Sequence, residues 1–345
     1  MKLSVHLVTW NGAKYIPYLF ESLKMQTLKD WQLYILDNAS SDNTVAEIEK
    51  VIKGLEVECK LEVNKENKGF AGGHNQLNDE LRIKNYECDY ILLLNQDMYL
   101  GEDCLEKMVK FLDKNEDVAV VSPRLMKWDF ANKQFTNQID TLGLKVLRSR
   151  QVIEKYAGKN WEEKKAKLEL FHRTKGEAME VFGVSGALPM YRRVVIDKVG
   201  LFDETFGSYK EDVDLAYRLR SAGYKAYVLL DTAAYHDRSA LGVEKRGDRA
   251  ALQNKKNQFA WVKYQSYKNH LMTLYKNEYW QNFLLDFIYI KWYEVKKFFC
   301  FLLFDRQVLK GLWEIWRLRQ ELKKKRKENF KLRKITWREM RQWFT

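Results

Sequence analysis

At 345 residues the chain is long enough for one large α/β domain and an appendage. Its formal charge of +13 is unevenly placed: residues 1–240 hold 35 Lys and Arg against 37 Asp and Glu, whereas residues 241–345 hold 25 against 10. Four scattered cysteines without a CxxC pair exclude a zinc knuckle or a disulfide framework, and no stretch reaches the roughly 20 uninterrupted apolar residues of a membrane span.

The N-terminus enters directly into a strand-like run, with no pattern of a secretory signal, so a reducing cytosol is expected. Short apolar runs at 3–9, 31–36, 57–63 and 90–94 predict strands, and the stretches at 13–26, 42–53 and 70–84 predict helices. This alternation predicts an α/β fold with a mostly parallel sheet, whose ligands bind outside the carboxyl ends of the strands. At those ends stand Thr-Trp-Asn-Gly (9–12), Asp-Asn-Ala-Ser-Ser-Asp (37–42), Asn-Lys-Gly-Phe-Ala-Gly-Gly-His-Asn (67–75) and Asn-Gln-Asp-Met (95–98).

Residues 102–121 predict a helix and a further strand, closed by Ser122 and Pro123. The Lys-rich segment 124–178 shows no clear period and is expected to be an irregular insertion on the acceptor side. From 181 the pattern returns with a strand through the glycines, helices at 193–199 and 211–222, and a strand at 224–230. Beyond about 245 the chain has no proline and seven of its eleven tryptophans, which marks a boundary.

Several of these residue types suit ligand chemistry, each beside a plainer role. Asp37 and Asn38 at a strand end can bond a nucleobase or ribose, or simply make a turn. The glycines at 69–73 allow close approach of a phosphate or ribose, or form a flexible turn. Asn95, Gln96 and Asp97 can hold a hard cation that also binds a diphosphate, or sit in a surface turn. Asp42 reads as a helix cap. Glu211 and Asp212 begin a helix, where acidic residues are also stabilising in their own right. Asp214 and Arg218 are spaced for a surface ion pair on that helix. No Walker lysine or GxGxxG fingerprint occurs.

Taken in order, the four loops above with Gly-Ala-Leu-Pro-Met-Tyr-Arg (186–192), Glu-Asp-Val-Asp-Leu-Ala-Tyr-Arg-Leu (211–219) and Ala-Tyr-His-Asp-Arg-Ser (234–239) resemble family 2 inverting glycosyltransferases, in particular the bacterial rhamnosyltransferase-like branch. The resemblance covers roughly residues 3–240. It implies a glycosyltransferase A fold, Rossmann-like, with residues 1–100 as the nucleotide-sugar half and 101–240 as the acceptor half. It further implies a dTDP- or UDP-linked sugar donor, with rhamnose leading, and a glycan or polyprenyl-diphosphate-linked acceptor of the bacterial envelope. Thr9, Asp37 and Asn38 would line the nucleoside site, with Gly69, Gly72 and Asn75 near the ribose and donor sugar and Gln96 beside them. Asp97 and His236 would hold Mg²⁺ or Mn²⁺ together with Asn95, which replaces the family's first aspartate and weakens that site. Asp212 would be the general base, with Glu211 next to it. That replacement also leaves open a non-catalytic scaffold that keeps the fold.

The remainder, 241–345, is a basic, aromatic extension expected to be helical. Leu309, Leu312, Trp313 and Trp316 follow an amphipathic period, with Lys310, Arg317 and Arg319 outside the stripe. A broader apolar arc runs through 283–304, and Lys-Lys-Lys-Arg-Lys follows at 323–327. Such a pattern suits an anionic membrane surface, placing the chain peripherally on the inner face. The same stripe could pack on the catalytic part or on a second protomer. A nucleic-acid partner is disfavoured, because the first 240 residues are not basic and no nucleic-acid module is present.

Overall fold

The computed structural model describes residues 1–168, 174–175, 178–238 and 260–345. Strands β1 (Leu3–Thr9), β2 (Trp31–Asp37), β3 (Cys59–Val63) and β4 (Tyr90–Asn95) run parallel in the order β3-β2-β1-β4. Helices α1 (Ile16–Lys24), α2 (Thr44–Val51) and α3 (Gly69–Ile83) connect them. Strand side chains alternate between two cores: Leu92 and Leu94 join the layer of α1, while Ile91 and Leu93 join that of α3.

Next come β5 (Met98–Leu100), α4 (Cys104–Lys114), β6 (Val118–Asp129), β7 (Gln134–Thr141), β8 (Leu144–Val146), β9 (Val152–Glu154), α5 (Trp161–Leu168), β10 (Thr174–Lys175), β11 (Ala178–Val181), β12 (Met190–Arg192), α6 (Arg193–Val199), α7 (Glu211–Ser221) and β13 (Lys225–His236). Short β12 lies antiparallel between β4 and β6, and β13 pairs parallel with β6. The sheet is therefore mixed, with its parallel part under the first hundred residues.

Two expectations fail here. Where it is described, the segment 124–178 is not irregular: β6 continues through Pro123 to Asp129 and pairs with β7, and β8 pairs with β9. Proline was read as a strand end because it cannot donate to a ladder. The β6–β13 register jumps just after Leu229, the partner of Pro123, so the strand tolerates the missing donor at an irregularity. The expected strand through the glycines stops at Val181 and resumes at Met190. Residues 182–189 between them form a loop whose carbonyls serve other strands: Gly183 accepts from the Leu144 N–H, and Ala187 and Pro189 accept from Asn95 and Leu93.

Helices α8 (Ala260–Asn277), α9 (Trp280–Leu285), α10 (Phe287–Phe304), α11 (Lys310–Arg317), α12 (Arg319–Leu332) and α13 (Trp337–Arg341) complete the chain. They are held to the first part by buried charge. Lys276 Nζ lies 2.6 Å from Asp203 Oδ2 and 3.0 Å from Asp214 Oδ2. Arg150, itself buried, reaches Glu278 and Asp286 at 2.7 and 3.0 Å. The Asp214–Arg218 pair forms at 3.0 Å, but in the interior rather than on the surface expected for it. Arg218 also donates to the carbonyls of Val199, Gly200 and Leu201, so it fixes the turn after α6.

Burial alone would raise the carboxyls of Asp203 and Asp214, but Lys276, joined by Lys325 and Thr205 at Asp203 and by Arg218 at Asp214, outweighs it and holds both below the ordinary value of 3.8. Carboxyls depressed on folding add stability that is complete above their unfolded value and is lost as pH falls through the folded one. Lys276→Met removes the cation shared by two buried carboxylates, leaving Asp214 to Arg218 and Asp203 to Lys325, and should cost about 3–5 kcal/mol in urea unfolding at neutral pH. On acidification below 3.8 the native chain should lose stability more steeply than Asp203→Asn, measured by the same unfolding curves.

Candidate active site

The carboxyl ends of β1, β2 and β4 meet in one crevice, where Thr9 stands opposite Asp37 and Val8 opposite Asn95. Asp37 is fully buried. Its carboxylate accepts from Thr9 Oγ1 at 2.9 Å and from the N–H and hydroxyl of Ser40 at 2.8 and 2.6 Å. Asn38 donates to the Gly69 carbonyl at 3.0 Å and accepts from Asn64 at 3.0 Å and from the Lys68 N–H at 3.3 Å. Gln96 pairs with both backbone groups of Trp10, at 2.9 and 3.0 Å. These residues build the floor of the crevice and hold its loops, so their structural duty is direct.

Gly69 opens α3 with φ +75°, and a Cβ there would stand 2.9 Å from the Gly207 carbonyl oxygen. The close approach lets the Ala71 N–H donate to Gly207 O at 2.9 Å and the Phe70 N–H donate to Ser208 Oγ at 3.2 Å. The glycine loop is thereby joined to the segment that leads into α7. Gly72 is buried in the first turn of α3. Asn75 uses its amide on Phe202 and Glu204, bracing α3 against the turn before α7.

The cation side is assembled from β13 and the turn after β4. His236 Nε2 lies 3.4 Å from Asp97 Oδ1, and its Nδ1 lies 2.9 Å from Asp140 Oδ2. Arg238 then joins Asp140 at 3.0 Å to Glu154 at 2.9 Å. Burial disfavours a charged imidazole, but the carboxylates of Asp97 and Asp140 outweigh it and raise His236 to about 10. The field between those carboxylates favours positive charge. Asp140 also fixes the ring so that Nε2 faces Asp97, the arrangement in which a histidine serves a metal. Among the described residues no three such side chains close into a cage. Asp97 and His236 instead suit an ion that takes the rest of its shell from a diphosphate. Asn95 follows in the same strand end, with its N–H donated to Ala187 O at 3.0 Å.

The expected base, Asp212, stands at the N-terminus of α7. Asp212 Oδ2 accepts from the Gly186 N–H at 3.2 Å, and Oδ1 from the Val213 N–H at 2.7 Å. Gly186 precedes the residue that bonds Asn95, so the 182–189 loop ties the two sides together. Burial and then the Glu154 charge raise the Asp212 carboxyl. Glu211 is pushed up to about 8, first by burial and then by the Asp212 charge, and its Oε2 has no partner. Glu211 is thereby held neutral near pH 7.

Sequence reasoning missed Asp140, Glu154 and Tyr15. The first two lie in the segment taken as irregular, and Tyr15, which donates to Asp237 Oδ2 at 2.6 Å, sits in a predicted helix. Arg238 was visible in the His-Asp-Arg run, but its role needs Asp140 and Glu154.

The profile of Glycosyl transferase family 2 matches residues 4–200. Poly(ribitol-phosphate) beta-N-acetylglucosaminyltransferase TarS of Staphylococcus aureus is 28% identical over 125 residues, 35% of this chain and 21% of its own. The chain thus spans about a fifth of that relative. The O-antigen chain rhamnosyltransferase RfbN of Salmonella typhimurium is 23% identical over 238 residues, 68% of this chain and 66% of its own. Among solved structures, GalNAc-T7 with UDP, GalNAc and Mn²⁺ superposes with a TM-score of 0.58 at 14% identity, over 80% of this chain and 48% of that one. Mannosyltransferase PcManGT from Pyrobaculum calidifontis, in complex with GDP-Man and Mn²⁺, gives 0.51 at 18% identity, over 79% and 63%. The fold is the glycosyltransferase A type with a C-terminal helical region.

A carboxyl raised on folding adds stability that is complete below its unfolded value and is lost as pH rises through the folded one. The native chain should therefore lose stability between 4.5 and about 8 through Glu211. Glu211→Gln should flatten that loss, read as the pH dependence of the thermal midpoint.

Proposed function

The chain belongs to glycosyl transferase family 2, and from that premise we propose that it moves a sugar from a nucleoside-diphosphate donor to a hydroxyl of a glycan or lipid-linked glycan, with inversion at the anomeric carbon. The observation that carries the reading is the 182–189 loop, which ties the Asp212 carboxylate to the strand end preceding Asp97 through the Gly186 and Ala187 bonds.

The acceptor oxygen attacks the anomeric carbon as the bond from that carbon to the diphosphate oxygen breaks. Asp212 takes the hydroxyl proton, and its raised affinity for protons suits a base working near neutrality. Glu211, kept neutral by burial, adds no second charge to repel the acceptor or diphosphate. When bound at Asp97 and His236, with Asn95 as a neutral third candidate, Mg²⁺ or Mn²⁺ would neutralise charge on the departing diphosphate. Thr9, Asp37, Asn38 and Gln96 keep the nucleoside floor in shape.

Rhamnose from a dTDP donor is the leading sugar, supported by the likeness to RfbN over 68% of the chain; a UDP donor is the alternative. We place residues 1–100 around the donor and 101–240 around the acceptor, with synthesis of a bacterial envelope polysaccharide on the cytoplasmic face as the setting. Asn95 in place of a carboxylate favours one second reading, a scaffold that retains the fold without transfer.

Thermal-shift titration with dTDP, UDP, GDP and CDP, each with Mn²⁺, Mg²⁺ or a chelator, should give a metal-dependent shift with one nucleotide. Asp212→Asn should keep that shift and lower transfer by about 10²–10⁴-fold. Absence of any shift would overturn the donor assignment, and nucleotide binding without turnover on any acceptor would favour the scaffold.

A further inference from the structure

Helix α10 has two faces of different character. Ile290, Lys297 and Phe301 are buried against the rest of the chain. Ile288, Trp292, Val295, Phe299 and Leu303, spaced i, i+4, i+7, i+11 and i+15, form one stripe exposed at 78, 69, 45, 53 and 69%. Exposed apolar side chains recur beyond the turn at Arg306–Leu309 in α11, where Trp313 and Trp316 are 61 and 59% exposed. Large exposed apolar side chains gathered on successive helices mark an interaction site.

The charges decide what covers it. Between Phe287 and Arg319 every acidic side chain is engaged by α8: Glu294 with His270 at 2.7 Å, Asp305 with Lys263 at 2.8 Å, and Glu314 with Lys268 at 3.0 Å. The exposed charges of the same span are Lys291, Lys296, Arg306, Lys310, Arg317 and Arg319, all cationic. At about 100° per residue, Lys291 and Lys296 fall roughly 80° and 60° to opposite sides of the stripe's centre. A second copy seated face to face would bring two cationic rims together. A nucleic acid would accept the cations but gains nothing from the aliphatic stripe. An anionic bilayer meets both, taking tryptophan and aliphatic side chains at the acyl boundary and lysine and arginine at the phosphates. No described helix is long and apolar enough to cross a membrane.

We propose that the outer face of α10 and α11 docks the chain in the headgroup region of an anionic lipid bilayer. The face is mechanically close to the reaction. Helix α8, which α10 and α11 pack against, carries Asn269, and its amide donates to the carbonyls of Phe206, Ser208 and Tyr209 just ahead of Glu211. The docking face and the base are thus braced by one helix. The inference stands apart from the transfer reaction, because lipid binding is read without donor or acceptor.

The intact protein is floated with phosphatidylcholine vesicles with and without phosphatidylglycerol, at low and high salt. Binding is expected to the anionic vesicles and to fall with salt. The triple variant Trp292→Ser, Trp313→Ser, Trp316→Ser should weaken it by about tenfold or more. Lys291→Gln and Lys296→Gln should each weaken it about fivefold. Unchanged circular dichroism confirms that the variants fold. No association with anionic vesicles at low salt overturns the proposal. So does a native dimer in sedimentation that the tryptophan variant returns to monomer, or an oligonucleotide complex that forms where vesicle binding does not.

Discussion

The ammonium group of Lys276, held between the carboxylates of Asp203 and Asp214, is the interaction on which the rest of the site leans. All three are buried, so each is tolerable only in the company of the others. Asp214 lies one turn into α7 and Asp203 in the turn before it, while Lys276 ends α8. The cluster therefore fixes the position of the α7 N-terminus, and with it Asp212. Asn277 donates to the free side of Asp214 at 2.7 Å, and Lys325 reaches Asp203 from α12. The helical extension thus supplies counter-charge to α7 and the turn before it.

A second principle is the alternation of sign across the crevice. Asp97, His236, Asp140, Arg238 and Glu154 follow one another as acid, base, acid, base, acid. Each charge has an opposite neighbour within the row, and Asp97 stands at its end beside Nε2 of His236. Near Asp212 the same logic runs by neutralisation: Glu211, buried with an oxygen lacking any partner, avoids a second negative charge by keeping its proton. Two carboxyls adjacent in sequence thereby meet different surroundings, Glu211 with an oxygen that lacks a partner and Asp212 bonded to the Gly186 and Val213 N–H groups.

Much of the fold was legible where the sequence is locally periodic. The strand and helix alternation of residues 3–95 and the helices at 193–199 and 211–221 stand where their patterns put them, because those segments bury one face each on a neighbour. The segment 124–178 was not, since β6 passes through a proline and β8 and β9 are only three residues each. The site was legible as a set of loops, but the jobs of its residues were not. Nothing local distinguishes Asn38 or Asn75 as braces, since their partners at Gly69 and Phe202 come together only in the folded chain. Asp214 and Arg218 read as a surface pair because their spacing shows the helix but not what covers it.

The long reach of the buried clusters sets an order on folding. The parallel strands β1 to β4 close through short helical crossovers and can assemble early in synthesis. Lys276 meets Asp214 across 62 residues and Asp203 across 73, Arg150 meets Glu278 across 128, and Lys325 meets Asp203 across 122. Contacts of such separation form late, after the loop-closure entropy has been overcome. A nascent chain that has emerged only through β13 therefore carries strands β1 to β4 and a helix α7 whose two acidic anchors still lack Lys276. The N-terminus of α7 gains that counter-charge only after residues 260–345 have left the ribosome.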